Sequence, residues 1–463
     1  MTGTLPLLAG HTAGSVIAWQ GARAITAGAF VADVQALAAR LPAHGALVNL
    51  CGDRYRFAVG LGAAMLRGHP SLLPPNALPA TLAGLRRRHP SLYALVDEDA
   101  TDTSGLPAVQ CSADGTLPPV AEVPLIPPHQ PAATLLTSGS TGEPQPHTKD
   151  WGPVVENIRA EAQRVAESTG GDPAGAAPLA GWSLVATVPA QHSYGFESSV
   201  LLAMLSGAAF DAGRPYFPAD IAERLATLPR PRALVTTPFH LKTFLAAEVP
   251  HPPVDLVLCA TAPLSPQLAR QSEAVLGGVL VEIYGCTEAG QVATRRTALT
   301  ERWQTFGALR LEQRDGDGAD DAQFWVQGGH VVEPTRLSDV LVLDDERHFR
   351  LLGRANDVIN VAGKRSSLAH LNYHLNSIPG VHDGAFWLPD DEPDGVVRPV
   401  AFVVAPELEA RTIVQALRER VEAVFLPRRV VHVPALPREA TGKLTVQTLR
   451  RFAQATLQGG TGA

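Results

Sequence analysis

The stretch Ala132-Ala133-Thr134-Leu135-Leu136-Thr137-Ser138-Gly139-Ser140-Thr141-Gly142-Glu143-Pro144 decides the fold class. Its first five residues form an apolar run of strand length that stops abruptly in hydroxylated residues and glycine. The same cadence recurs downstream. Ser183–Val188, Ala233–Val235, Leu256–Cys259 and Val279–Ile283 are short apolar runs that end in Gly, Pro, Ser or Thr. Helix-like stretches lie between several of them, including Val154–Ser168 and Pro266–Leu276. Short apolar strands alternating with helices predict an α/β fold with largely buried sheets. Ligands in such folds bind off the carboxyl ends of the strands, so the loops after these runs are where chemistry is expected.

Upstream, Phe30–Leu41 reads as a helix, Ala46–Leu50 as a strand that turns at Cys51-Gly52-Asp53, and Tyr55–Leu66 as a buried helix. Residues 98–131 are rich in Pro, Asp, Ser and Thr and read as irregular surface chain. Downstream the texture changes at Gly353-Arg354-Ala355-Asn356-Asp357, a short polar stretch between apolar runs. Beyond it, Ile413, Leu417, Val421 and Val424 share one face at helical spacing, and Val400–Val404 and Val430–Val433 are strand-like. This predicts a large domain of residues 1–352, a hinge at 353–357, and a small α+β domain of residues 358–463.

Composition excludes several classes. Lys and Arg number 38 against 45 Asp and Glu, a net charge of −7, which argues against affinity built on neutralising nucleic-acid phosphates. With 45% apolar residues the chain is not intrinsically disordered, yet no apolar run reaches the roughly 18 residues of a membrane span. The N-terminus has no basic stretch before its apolar patch, so no secretory signal is expected. Cys51, Cys111, Cys259 and Cys286 lie far apart without metal-ligand spacing and read as reduced thiols, consistent with a cytoplasmic protein. Gly60-Leu61-Gly62 lacks a third glycine and falls within a helix-like run, which argues against a dinucleotide fingerprint. No G-x-S-x-G elbow of a serine hydrolase occurs.

Two local signals carry chemistry. In Thr137–Pro144 the glycines let backbone N–H groups turn toward an anion and the hydroxyls add donors, which suits a polyphosphate. It is not a P-loop, because no Gly-Lys-Ser/Thr follows; alone, such a run is as often a polar surface turn. Tyr284-Gly285-Cys286-Thr287-Glu288, at the end of another apolar strand, places a carboxylate where it can hold Mg²⁺, an ion that takes most of its ligands from phosphate and water. A lone acid there is more often simply solvated.

Together the two motifs resemble those of the superfamily of acyl- and aryl-CoA synthetases, peptide-synthetase adenylation domains and luciferases. The resemblance continues in order. Val188–Phe196, with His192, Gly195 and Phe196, is similar to the stretch that lines the family's acyl pocket, and Ala260–Leu264, with Thr261 and Ala262, to the segment that passes the adenine. Asp339 and Arg354 resemble its ribose-binding pair, Asn356 its hinge residue and Gly363 its glycine loop. Pro437–Lys443 resembles the motif bearing its catalytic lysine. The motifs span about residues 134–445; the first 130 residues carry none.

The resemblance implies a large N-terminal adenylate-forming domain of stacked mixed sheets and a small mobile C-terminal domain. It implies an enzyme that makes an acyl-adenylate from a carboxylic acid and MgATP and then passes the acyl group to a thiol. Thr137, Ser138, Gly139, Ser140, Thr141 and Gly142 would cradle phosphates, Tyr284 would contact the nucleotide, Thr287 the α-phosphate and Glu288 the Mg²⁺. Lys443 would bridge the attacking carboxylate and the α-phosphate, a role suited to a compact cation on a flexible stem. The small domain would then rotate at Asn356 and bring Gly363 to the thiol channel.

Where the family has a phosphate-loop lysine, this chain has Gln145, with Lys149 four residues on. Either Lys149 reaches back to the loop or Gln145 hydrogen-bonds in its place. With no carrier domain in the 463 residues, the expected acceptor is CoA or a separate acyl carrier protein. These traits resemble the compact synthetases of aryl polyene and xanthomonadin-type pigment pathways, which implies an aromatic acid. A medium- or long-chain fatty acid and a non-catalytic acyl-nucleotide binder are the alternatives. An amino acid ranks lower, since neither Asp211 nor Asp255 lies where an ammonium partner is expected.

Overall fold

The computed structural model describes residues 3–98, 101–138, 144–314, 322–354, 358–361, 364–389, 398–438 and 444–459. Among them, the strands build two large sheets. The larger has eleven strands, and its centre is parallel: Val279–Cys286, Leu256–Cys259, Arg232–Thr236, Ser183–Ala186, Ala209–Asp211 and Val16–Gln20 lie side by side. Leu256–Cys259, Arg232–Thr236 and Ser183–Ala186 are buried along their whole length, as strands covered on both faces must be. Antiparallel strands extend the sheet at both edges, through Gly290–Arg295, Trp303–Thr305, His348–Arg354 and Asp339–Leu343 on one side and Arg23–Thr26 on the other.

The second sheet runs Pro144–Asp150, Pro131–Ser138, Ser71–Leu73, Ala46–Asn49, Leu92–Val96, Ala108–Gln110, all neighbours parallel except the first pair. The helices Arg54–Arg67 and Trp151–Thr169 belong to the core that joins the two sheets, which includes Phe57, Leu61, Met65, Trp151, Ile158, Val165, Leu184 and Phe306. The architecture is therefore mixed α/β with stacked sheets. A separate core in the C-terminal domain gathers Leu371, Leu375, Phe386, Val403, Ile413 and Leu417 around the sheet Asp383–Trp387, Val400–Val404, Arg429–His432. No helix among the described residues is long and apolar enough to cross a membrane.

Several readings of the sequence need correction. The strand at Val279 does not stop at Ile283 but runs to Cys286, so the Tyr-Gly-Cys triplet lies inside it and only Thr287-Glu288-Ala289 forms the turn. Gly285 permits this, because a β-carbon there would lie 2.5 Å from the Gly290 carbonyl of the returning strand. The polar run after Leu136 leads first into the antiparallel strand Pro144–Asp150, with Gln145 opposite Thr137, and only then into a helix. The helix holding Ile413 and Leu417 ends at Arg418, so Val421 and Val424 do not continue its face. Residues 98–131 are largely irregular but include short strands at Ala108–Gln110 and Leu125–Ile126.

Candidate active site

Parallel strands end on the same edge of a sheet, and here that edge collects the motifs. Ser183–Ala186 leads to the segment of His192, Leu256–Cys259 to Thr261, and Val279–Cys286 to Thr287 and Glu288. The register is tight: Ala186 pairs with Val235, Thr236 with Cys259, and Cys259 with Glu282. Residues such as Ala186 and Glu282, far apart in sequence, are thus set three strand steps apart on one edge, at about 4.8 Å per step.

The Thr287–Ala289 turn is held from below. The Ala289 amide donates to Cys286 Sγ at 3.4 Å, and Lys149 Nζ donates to the Glu288 carbonyl at 2.9 Å. Lys149 therefore joins the hairpin of one sheet to the Glu288 turn of the other. Burial lowers the pKa of its ammonium, and the neighbouring carboxyl groups of Glu197 and Glu288 oppose that. The side chain of Glu288 itself is half exposed, 4.0 Å from His147 Nε2. Lys149 thus has its ammonium on the Glu288 turn, and the loop that either Lys149 or Gln145 was expected to serve lies outside the described residues. If this contact positions Glu288, Lys149→Met is expected to lower kcat of adenylation by about ten- to a hundred-fold. Lys149→Arg should restore part of it, and equal loss in both variants would assign the lysine a purely structural place.

Asp339 and Arg354 are opposed across an antiparallel pair. Asp339 Oδ2 accepts from the Tyr284 hydroxyl at 2.8 Å, so the tyrosine expected at the nucleotide and the carboxylate expected at the ribose are connected. The Tyr284 ring is fixed by Trp303 and Phe349, each with its centroid 5.7 Å away. Thr261 is exposed and has φ +82°, a left-handed conformation that a β-branched residue rarely adopts. Such strain is concentrated at functional sites, where the surroundings impose it.

His192, Ser193 and Tyr194 are half-buried, and Gly195 and Phe196 are buried as the chain enters a helical segment that runs to Ser206. Gly195 has no alternative, since a β-carbon would lie 2.0 Å from the Pro189 carbonyl oxygen. Burial lowers the His192 pKa, and Arg214 lowers it further, so the imidazole is neutral at pH 7. The backbone of this segment is clamped by Arg54, which donates to the Ala186 and Val188 carbonyls at 3.1 and 3.0 Å.

Thr137 and Ser138 lie at the end of the strand Pro131–Ser138, and Arg354 at the end of His348–Arg354. Gly139, Ser140, Thr141, Gly142, Asn356, Gly363 and Lys443 lie outside the described residues. Sequence reasoning missed Arg54, Glu161 and Glu197. The signal was present for Glu161: it sits among Val154, Val155, Ile158, Ala162 and Val165 on the buried face of its helix, where a carboxylate is out of place.

The sequence pattern of the family described as "AMP-binding enzyme" matches residues 73–346, and that of the "AMP-binding enzyme C-terminal domain" matches residues 374–443. A 4-coumarate–CoA ligase of Rhodobacter capsulatus is 30% identical over 316 residues, covering 67% of this chain and 74% of that one. A 4-chlorobenzoate–CoA ligase of an Arthrobacter species is 26% identical over 372 residues, covering 73% and 69%. Among solved structures, an anthranilate CoA ligase in complex with anthranoyl-AMP superposes with a TM-score of 0.77 at 17% identity, covering 98% of this chain and 99% of that one.

Proposed function

The chain belongs to the AMP-binding enzyme family and is an ATP-dependent, AMP-forming acid–thiol ligase, and from that premise we propose that its acid is aromatic or closely related. The acyl group would pass to the phosphopantetheine thiol of CoA or of a separate acyl carrier protein. The observation that carries this reading is the shared strand edge, where Thr261, Thr287, Glu288 and the His192–Phe196 segment meet. The relatives named for coumarate and chlorobenzoate support the aromatic acid.

The donors of the turn fit a divalent ion. Among the described residues no three His, Cys, Asp or Glu side chains group into a metal site, but Mg²⁺ needs only one or two carboxylates when phosphates and water supply the rest. Glu288, solvent-facing at the end of a strand, would hold it; when bound, the ion neutralises phosphate charge. The remaining roles follow from the chain. Thr137–Gly142 would hold the β- and γ-phosphates, Thr287 the α-phosphate, Tyr284, Thr261 and Ala262 the adenine, and Asp339 with Arg354 the ribose. His192, Gly195 and Phe196 would border the acid. A carboxylate attacking an α-phosphate brings like charges together, so positioning and charge stabilisation supply most of the acceleration.

We assign residues 1–352 to the domain that binds nucleotide and acid, 353–357 to a hinge at Asn356, and 358–463 to a mobile domain that carries Lys443 and Gly363. ATP–pyrophosphate exchange over benzoates, cinnamates and fatty acids tests the substrate class. Exchange with one or more aromatic acids should exceed that with every fatty acid by at least about tenfold in kcat/KM. A medium- or long-chain fatty acid as the best substrate would reverse the assignment. Adding CoA, then a phosphopantetheinylated carrier protein, to the accumulated adenylate identifies the acceptor.

A further inference from the structure

The large and small domains meet at a contact outside the site. Glu301 sits in the turn between Gly290–Arg295 and Trp303–Thr305, and its Oε1 accepts from the Tyr373 hydroxyl at 3.3 Å. Tyr373 belongs to the helix Leu368–Asn376 of the small domain, so this bond crosses the domain boundary over 72 positions of chain. The phenol is the donor: burial raises its pKa above the ordinary value and Glu301 raises it further, so it stays protonated. Ser367, at the start of the same helix, donates to the Leu352 carbonyl, and Gly353 leaves no room for a β-carbon beside it.

Both ends of the Glu301–Tyr373 bond are tied to rigid parts. On the large domain, the Glu301 carbonyl accepts from Arg295 at 3.4 Å. The Arg295 guanidinium lies 4.4 Å from the centre of the Trp303 ring, which packs against Tyr284. Arg302, next in sequence, pairs with Asp344 and Asp345. Glu301 therefore stands on the frame that also fixes Tyr284. On the small domain, Leu371 and Leu375 bury the inner face of the helix. Asn372 accepts from the Phe386 amide and Asn376 donates to the Gly384 carbonyl, which bolts the helix to the strand Asp383–Trp387. Asp383, the first residue of that strand, grips Arg438, five positions before Lys443. Both lie beside Lys242, whose helix starts where the strand Arg232–Thr236 ends, on the edge that carries the site. A path of packed and hydrogen-bonded groups thus runs from Tyr284 through Glu301 and Tyr373 to the segment that leads to Lys443.

We infer that Glu301 and Tyr373 form a latch that registers the small domain on the large one for adenylation. They are positioning residues: they lie on the domain boundary rather than at the strand edge, and they act through the segment that carries Lys443. The inference rests on the acid–thiol ligase reading and on the rotation assigned with it, and deepens both. A domain that rotates in every turnover cannot be held by a large apolar interface, because each cycle must break the contact. One hydrogen bond from a phenol to an exposed carboxylate biases two orientations and still releases.

Tyr373→Phe and Glu301→Ala test the latch when the two half-reactions are measured apart. ATP–pyrophosphate exchange with the best acid should fall about tenfold in kcat in each variant, the effect of one hydrogen bond to a charged group. Transfer of preformed acyl-adenylate to the accepted thiol should hold or rise, because the released domain populates the other orientation more often. Glu301→Gln keeps an acceptor for the phenol and should recover part of the exchange. The double variant Glu301→Ala with Tyr373→Phe should lose no more than the worse single one, since both act through one bond. Glu301 is exposed and Tyr373→Phe removes one hydroxyl, so the melting temperatures should stay near that of the parent. Equal loss in both half-reactions, additive losses in the double variant, or an unchanged exchange rate overturns the latch while the ligase reading stands. Exchange with no acid at all in the parent enzyme overturns the ligase reading and the latch with it.

Discussion

Replacing Lys443 with Ala should lower the rate of acyl-adenylate formation by about 10²- to 10³-fold while leaving the melting temperature near that of the parent. The attacking carboxylate and the α-phosphate are both anions, and a cation placed between them is worth most where charge develops in the transition state. Described residues on either side of Lys443 in sequence, Arg438 and Thr445, are each held in place. Arg438 grips Asp383 through two hydrogen bonds of 2.7 Å, and Thr445 Oγ1 accepts from the Thr448 amide at 3.3 Å as the last helix begins. Arg438 and Asp383 in turn lie beside Lys242 of the helix Pro238–Ala246, which ties this anchor to the large domain. Both the Arg438 and the Thr445 contacts are made by residues other than Lys443, so its loss should affect chemistry rather than folding. ATP–pyrophosphate exchange measures the first step, and transfer from preformed acyl-adenylate to a thiol measures the second. The rotation we assign to the small domain predicts that the second step survives in Lys443→Ala. Exchange at the parent rate would remove this lysine from the mechanism.

Replacing Arg54 with Met should destabilise the protein by about 3–5 kcal/mol. Arg54 is 2% exposed, and besides the Ala186 and Val188 carbonyls it donates to Ser199 Oγ at 2.5 Å. Burial lowers its pKa to about 10, with Asp211 opposing, so the guanidinium remains charged at neutral pH. Met matches the stem but supplies no donor, which strands two backbone carbonyls in the core. The loss falls where the strand Ser183–Ala186 gives way to the segment of His192, so adenylation should decline along with stability. Equilibrium denaturation with the linear extrapolation reads the change. A loss below about 1 kcal/mol would show that water or a neighbouring donor replaces the guanidinium.

The parallel centre of the large sheet was legible in the sequence because strands covered on both faces must be apolar throughout. Leu256–Cys259 and Pro266–Leu276 have the boundaries that the residues themselves suggest. The strand of Tyr284 was misread at its end, since Tyr284-Gly285-Cys286 looks like a loop until the returning strand at Gly290 supplies its hydrogen-bond partners. The helix of Ile413 was overextended for a related reason: helical spacing continues through Val421 and Val424, but the chain turns after Arg418. Periodicity records which side of the chain faces the core, and a turn can keep facing it.

The sequence by itself determined the α/β class, the family, and the residue types that suit phosphate, ribose and a divalent ion, because these depend on local spacing and on the chemistry of single side chains. Only the tertiary structure decided which of those residues meet. Lys149 joins Glu288 across two sheets and 139 positions of chain, Tyr284 reaches Asp339, and Asn157, Glu161, Ser198 and Gln291 close into one wall. Such meetings are set by strand order and register, which place distant loops a few ångströms apart and leave no periodic trace in the sequence.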